Sequence, residues 1–127
     1  MRELGPEKET MHKKLAEEIN AMVPIMDYCQ FFFVGPLMKK YFIPAIHHSY
    51  QYVHGLSSID IGKKIKEEIL SSKSDSPVLI FVKGSQNTIF LEEGIKEFLD
   101  PTYDSSKLCR QSREWQKKKQ LYFKSIL

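Results

Sequence analysis

Apolar residues recur along this chain with two different periods, and the switches between them predict its elements. Met11, Leu15, Ile19 and Met22 follow one another at spacings of four, four and three, the stripe of a helix from about Glu7 to Met22. Tyr28 to Val34 is an aromatic and aliphatic run, with Cys29 and Gln30 within it, closed by Gly35-Pro36, as in a strand buried on both faces. Pro36 suits the first turn of a second helix, where its missing N–H costs nothing, and Pro44 is placed to end that helix.

Tyr50 to His54 reads as a short strand before Gly55, and Ser57 or Ser58 as the cap of a helix whose stripe is Ile61, Ile65 and Ile69. A polar loop, Ser71 to Ser76, leads to Pro77 and a third buried strand, Val78 to Val82. Leu91, Ile95, Phe98 and Leu99 mark a further helix, stopped by Asp100-Pro101. A last helix, from about Ser105 to Phe123, carries Leu108, Trp115 and Tyr122 at heptad spacing.

Strand and helix alternate, so the expected fold class is α/β: a three-layer Rossmann-like lobe with a mostly parallel sheet of about three strands and a basic C-terminal helix. Residues 1–101 would form the lobe and residues 102–127 the helical appendage. Three strands are few for a sheet covered on both faces, and a lobe without its leading strands presents a bare sheet edge, which predicts self-association.

Composition narrows the picture. With 127 residues, 42% hydrophobic and 28% charged, the chain suits one folded domain and is too short for a multi-domain ATP-driven enzyme. Its longest apolar runs fall far below the roughly 18 to 20 residues that span a bilayer. The N-terminus lacks the apolar stretch of a secretory signal, so the expected location is cytoplasmic, with no membrane partner. Cys29 and Cys109 are read as free thiols, Cys29 buried.

The net charge of +3 is concentrated near the C-terminus, where Lys107, Arg110, Arg113, Lys117, Lys118, Lys119 and Lys124 face a single acid, Glu114. Such a run is read as a solvated helix face. No helix-turn-helix, zinc-finger or RNA-recognition pattern accompanies it, which argues against nucleic acid as a partner.

Candidate chemistry centres on Val82-Lys83-Gly84-Ser85. A strand ending here would bring a cation, a permissive glycine and a hydroxyl to the carboxyl edge of a parallel sheet, where open α/β folds bind ligands. Lys83 would hold an anionic group by charge, Gly84 would let it approach the backbone, and Ser85 would add a donor. Judged by spacing alone, a plain turn with a helix cap stands slightly ahead of this anion-binding corner. Glu92 and Glu93 would sit near the positive end of the next helix.

No Walker-type glycine-rich run is present, so no ATP-phosphate cradle is expected. His12, His47, His48 and His54 lack the spacing of metal ligands and are read as surface loop histidines. No catalytic residue and no metal ligand is assigned.

Three segments resemble the Mur ligases, which build the peptidoglycan stem peptide. Met1-Arg2-Glu3-Leu4-Gly5 with His12 is similar to a motif in the C-terminal domain of these enzymes. Phe33-Val34-Gly35 resembles their strand and Val-Gly turn, and Val82-Lys83-Gly84-Ser85 with Leu91-Glu92 their Val-Lys-Gly-Ser-Arg and following helix. Gln86 stands where the family usually has arginine, and the family's Asp-x-Tyr-Asn-Ala-Asn-Pro segment is absent. The matches run in order from residue 1 to about Leu99.

The resemblance implies the substrate-positioning part of a ligase that joins D-alanyl-D-alanine to the UDP-N-acetylmuramoyl tripeptide, inactive alone. Lys83, Gly84 and Ser85 would then bind the dipeptide carboxylate. ATP and Mg2+ serve the complete enzyme rather than this chain, whose partners would be the two substrates and the remaining ligase domains in trans. The competing expectation is a non-enzymatic α/β module that docks a partner through the basic Trp115 helix.

Overall fold

A computed structural model describes residues 5–22, 29–72, 77–84 and 88–126. The chain forms two compact units, Met1–Gly55 and Leu56–Leu127.

In the first unit, helix α1 (Lys8–Met22) follows a 3-10 turn over Gly5–Glu7. Its inward face differs from the expected stripe. His12 and Ala16 are buried, Leu15 and Ile19 are partly buried, and Met11 and Met22 are exposed. Small Ala16 lets the helix approach the aromatic core closely, and the His12 ring meets its polar need locally, at the Lys8 carbonyl one turn back.

Strand β1 (Phe31–Val34) pairs in parallel with β2 (Tyr52–Gly55), Phe31 opposite Tyr52 and Val34 opposite Gly55. Tyr28, expected to begin the first strand, lies outside the described residues. Gly35 leaves β1 with φ of 95°, a conformation that favours glycine, while its N–H continues the ladder to the Gly55 carbonyl at 2.8 Å. The crossover is helical, opening at Pro36 and running through a π-helical stretch (Met38–Phe42) into a 3-10 turn (Ile43–Ala45).

Pro44 accounts for the change of register within this crossover. Lacking an N–H, it cannot continue the α ladder; Ile43 bonds back to Met38 and Ile46 to Phe42 on either side of it. The result turns Phe42 fully inward, and Phe33, Phe42, Ile46 and Ala16 make the core. The Phe33 and Phe42 rings meet in a tilted arrangement at 4.9 Å between centroids. Asn20 ties α1 to the loop after the crossover: its side chain donates to the Ala45 carbonyl at 3.0 Å and accepts from the His47 N–H at 2.8 Å.

In the second unit, Ser57 caps α2 (Ser58–Ser71), its hydroxyl accepting from the Asp60 N–H. Helix α3 is short, Leu91–Ile95, and gives way to turns through Leu99 rather than the longer helix expected. Gly94 lies within it and explains both its weakness as a helix and its place. A Cβ there would stand 2.3 Å from the Ser58 carbonyl oxygen, and one on Gly62 would stand 2.1 Å from the Gly94 carbonyl oxygen. The backbones of α2 and α3 therefore touch where no side chain fits. Beyond Asp100, whose carboxylate accepts from the Thr102 and Tyr103 N–H groups, the chain reaches α4 (Arg113–Ile126) through a 3-10 turn at Ser105–Lys107.

The molecule is thus a mixed α/β protein whose described residues contain a two-stranded parallel sheet. The third strand expected at Val78–Val82 is not formed. No described backbone group pairs with this segment, and a strand without a ladder partner has no means of satisfying its N–H and C=O groups except solvent. The C-terminal helix also begins later than expected, at Arg113, because Arg110 takes a left-handed backbone with φ of 57°.

Candidate functional site

The residues of the expected anion-binding corner belong to the second unit. Lys83 is exposed. Gly84 lies against the first residue of α3, and a Cβ on it would come within 2.2 Å of the Leu91 side chain. Ser85 lies outside the described residues. Because Val78–Val82 forms no strand, Lys83 and Gly84 do not sit at the rim of a sheet. Gly84 packs instead against Leu91. Thr88 Oγ1 is buried and has no hydrogen-bond partner among the described residues.

Immediately beyond, the chain takes two consecutive left-handed residues, Ile89 at φ of 77° and Phe90 at 48°. Such backbone costs of order 1–3 kcal/mol per residue, and packing holds it here. The Phe90 carbonyl accepts from the Ser58 hydroxyl at 3.0 Å, and its ring lies against Tyr122, Trp115 and Phe123 with centroids 5.3, 6.3 and 6.4 Å away.

Next to this aromatic contact is a buried charged cluster. Glu92, only 2% exposed, receives two hydrogen bonds from the Arg110 guanidinium at 2.8 and 2.7 Å. Lys119, equally buried, lies 3.1 Å from Glu92 Oε1, the oxygen that also accepts from Arg110 Nε, and 2.6 Å from Glu93, which also holds Lys96 at 2.8 Å. Burial alone would raise the Glu92 carboxyl above its ordinary value. The hydrogen bonds from Arg110, the backbone and Lys119 outweigh it and bring the pKa down to about 2. Glu92 is therefore an anion throughout the physiological range, a fixed structural charge with no proton to exchange.

Glu92 and Glu93 had been expected to act on the helix N-terminus, and Lys119 to lie in a solvated basic face. The structure joins them instead. A signal for Lys119 was present: it stands four residues after Trp115 and three before Tyr122, on the apolar stripe of its own helix. Nothing local in the sequence indicated that Arg110, in a loop, would supply the second cation.

Trp115 is half-buried against Phe90, with the Lys118 ammonium over its ring at 4.5 Å. His47 and His48 are exposed, as expected, but His12 is buried in α1 and His54 is half-buried in β2, donating to the Gly35 carbonyl at 3.0 Å. Both are therefore satisfied structural histidines rather than surface loop residues. Cys29 is half-buried and Cys109 exposed.

Among the described residues no cluster of three or more histidine, cysteine or acidic side chains could hold a metal ion. The sequence contains no P-loop run. No helix among the described residues is long and apolar enough to cross a membrane. No family model, curated protein or solved structure matches the chain.

Proposed function

We propose that this chain is the substrate-positioning part of a Mur-type ligase, serving the addition of D-alanyl-D-alanine to UDP-N-acetylmuramoyl tripeptide and inactive without ATPase machinery. The reading rests on the order of the three resembling segments. Its main structural support is the exposed Lys83 cation beside Gly84, which packs against Leu91 at the start of α3. A cation is a donor that a dipeptide carboxylate needs, and its task would be orientation.

In this reading Val78–Val82 becomes the third strand of a three-layer lobe once the ligase's other strands supply its backbone partners, and Lys83, Gly84 and Ser85 then reach the sheet rim. The amine of the dipeptide would attack an acyl phosphate made elsewhere in the enzyme. The chain contributes placement to that step, with no base assigned to it.

Docking of an unrelated partner through Trp115 has less support, because the indole is already engaged by Phe90 and Lys118. Calorimetric titration of D-alanyl-D-alanine into the chain and into Lys83→Ala tests the proposal. Binding by the wild type, weakened about tenfold or more by the substitution, is expected for a lost charge-assisted contact. Absence of binding by the wild type, or equal binding by both, overturns the positioning role.

A further inference from the structure

The run Val78–Val82 has a side-chain pattern that its surroundings do not use. Val78, Ile80 and Val82 line an open apolar groove with Ile69, Ile95 and Phe98, while Leu79 and Phe81 are 95% and 87% exposed on the opposite side. Alternate residues thus face opposite ways, as in a strand, and both faces are apolar. No described residue pairs with its backbone. Unpaired backbone flanked by β-branched and aromatic residues is a template for another strand.

We propose that this segment pairs antiparallel with the same segment of a second copy of the chain, about a two-fold axis at Ile80. Three features select this occupant and this register. In an extended strand residues 78, 80 and 82 would direct their N–H and C=O groups to one edge, and none of them is proline. The other edge includes Pro77, which has no N–H, so the Ile80 edge is the complete one.

Charge then selects the direction. Parallel in-register pairing would put Lys83 directly opposite Lys83 of the other copy, whereas antiparallel pairing about Ile80 puts it opposite Pro77. Finally, the antiparallel register sets Leu79 of each copy beside Phe81 of the other, an aliphatic–aromatic cross-strand pair formed twice by symmetry. Ile80 meets Ile80, and Val78 meets Val82. About six reciprocal backbone hydrogen bonds would close the ribbon. The pairing takes the Ile80 edge alone, leaving the Pro77 edge for the ligase strands of the proposed function and Lys83 at the end of the strand.

Sedimentation velocity of the full chain over a range of concentrations gives the first test, with a monomer–dimer equilibrium expected. Ile80→Pro removes a central donor and is expected to raise the dimer dissociation constant at least tenfold without altering the circular dichroism of the helices. A cross-link protects the test against misfolding of that variant. In a Cys29→Ser, Cys109→Ser background, Ile80→Cys is expected to form an intermolecular disulfide on mild oxidation, because directly opposed residues of a hydrogen-bonded pair bring their α-carbons within disulfide range.

A chain that stays monomeric at every concentration overturns the proposal. So does a dimer in which Ile80→Cys fails to cross-link and Ile80→Pro changes nothing. Neither result bears on the calorimetric titration, so the two proposals fail separately.

Discussion

The two units are built on opposite principles. In the first, Ala16 and Phe42 are fully buried with Phe33 and Ile46 beside them, a mainly apolar centre with aromatic contacts in which His12 is the one buried polar side chain among the described residues. In the second, Ser58, Glu92 and Lys119 are each 2% exposed, beside Ile61 and Phe90, while Leu79 and Phe81 of the apolar Val78–Val82 run face outward. The first unit is held by non-directional burial, which tolerates some rearrangement of its parts. The second depends on paired charges and a glycine contact, which stabilise one arrangement and penalise departures from it.

The difference is sharpest under truncation. Glu92→Ala would leave Arg110 and Lys119 without their shared anion and is expected to cost the second unit about 3–5 kcal/mol. Segment-resolved hydrogen exchange checks this: protection should fall in α3 and α4 and remain in α1 and β1. Phe42→Ala is expected to cost the first unit a similar amount by leaving a cavity, with the pattern reversed. Protection lost equally across both units by either substitution would break the comparison.

Acid should separate the units next. Glu92 has a folded pKa of about 2, below the ordinary carboxyl value of about 4.3. A depressed pKa means that the contribution is complete above the unfolded value and fades as pH falls toward the folded one. The second unit should therefore lose up to about 3 kcal/mol between roughly pH 5 and pH 2. Glu92→Gln should flatten that loss, as read by α4 exchange or by Trp115 fluorescence. An unchanged profile in this variant would show that other carboxyls govern the acid response.

A smaller effect is expected from Gly94→Ala, about 1–3 kcal/mol, because the new methyl group would meet the Ser58 carbonyl and push α2 from α3. Thermal unfolding of the purified variant measures it, and a neutral result would mean that the two helices separate freely. Least of all, Ser57→Ala should cost about 1 kcal/mol through loss of the α2 cap. Its effect should appear as faster exchange in the first turn of that helix.

Much of the fold was legible where the cause of an element lies within it. The Phe31–Val34 strand, the glycine turn after it and the Ser57 cap each follow from a few adjacent residues. Two features were misplaced because their causes lie elsewhere in the chain. The inward face of α1 centres on His12 and Ala16 because the core aromatics require a small neighbour and His12 satisfies itself on Lys8. The Val78–Val82 run has every local property of a strand, yet a strand exists only when a second backbone is beside it.

For the candidate site, the sequence led to Lys83 and Gly84 at a sheet rim, and the contact of Gly84 with Leu91 was not foreseen. It also identified the cations of the C-terminal helix without their partners. Hydrophobic period, caps and breakers determined which stretches are helical and where most of them stop, since these act within one or two turns of chain. Tertiary structure decided which helix face points inward, which charges meet, and which apolar run stays uncovered. Those outcomes depend on groups far apart in sequence, and only packing brings Arg110 to Glu92 or Gly94 to Ser58.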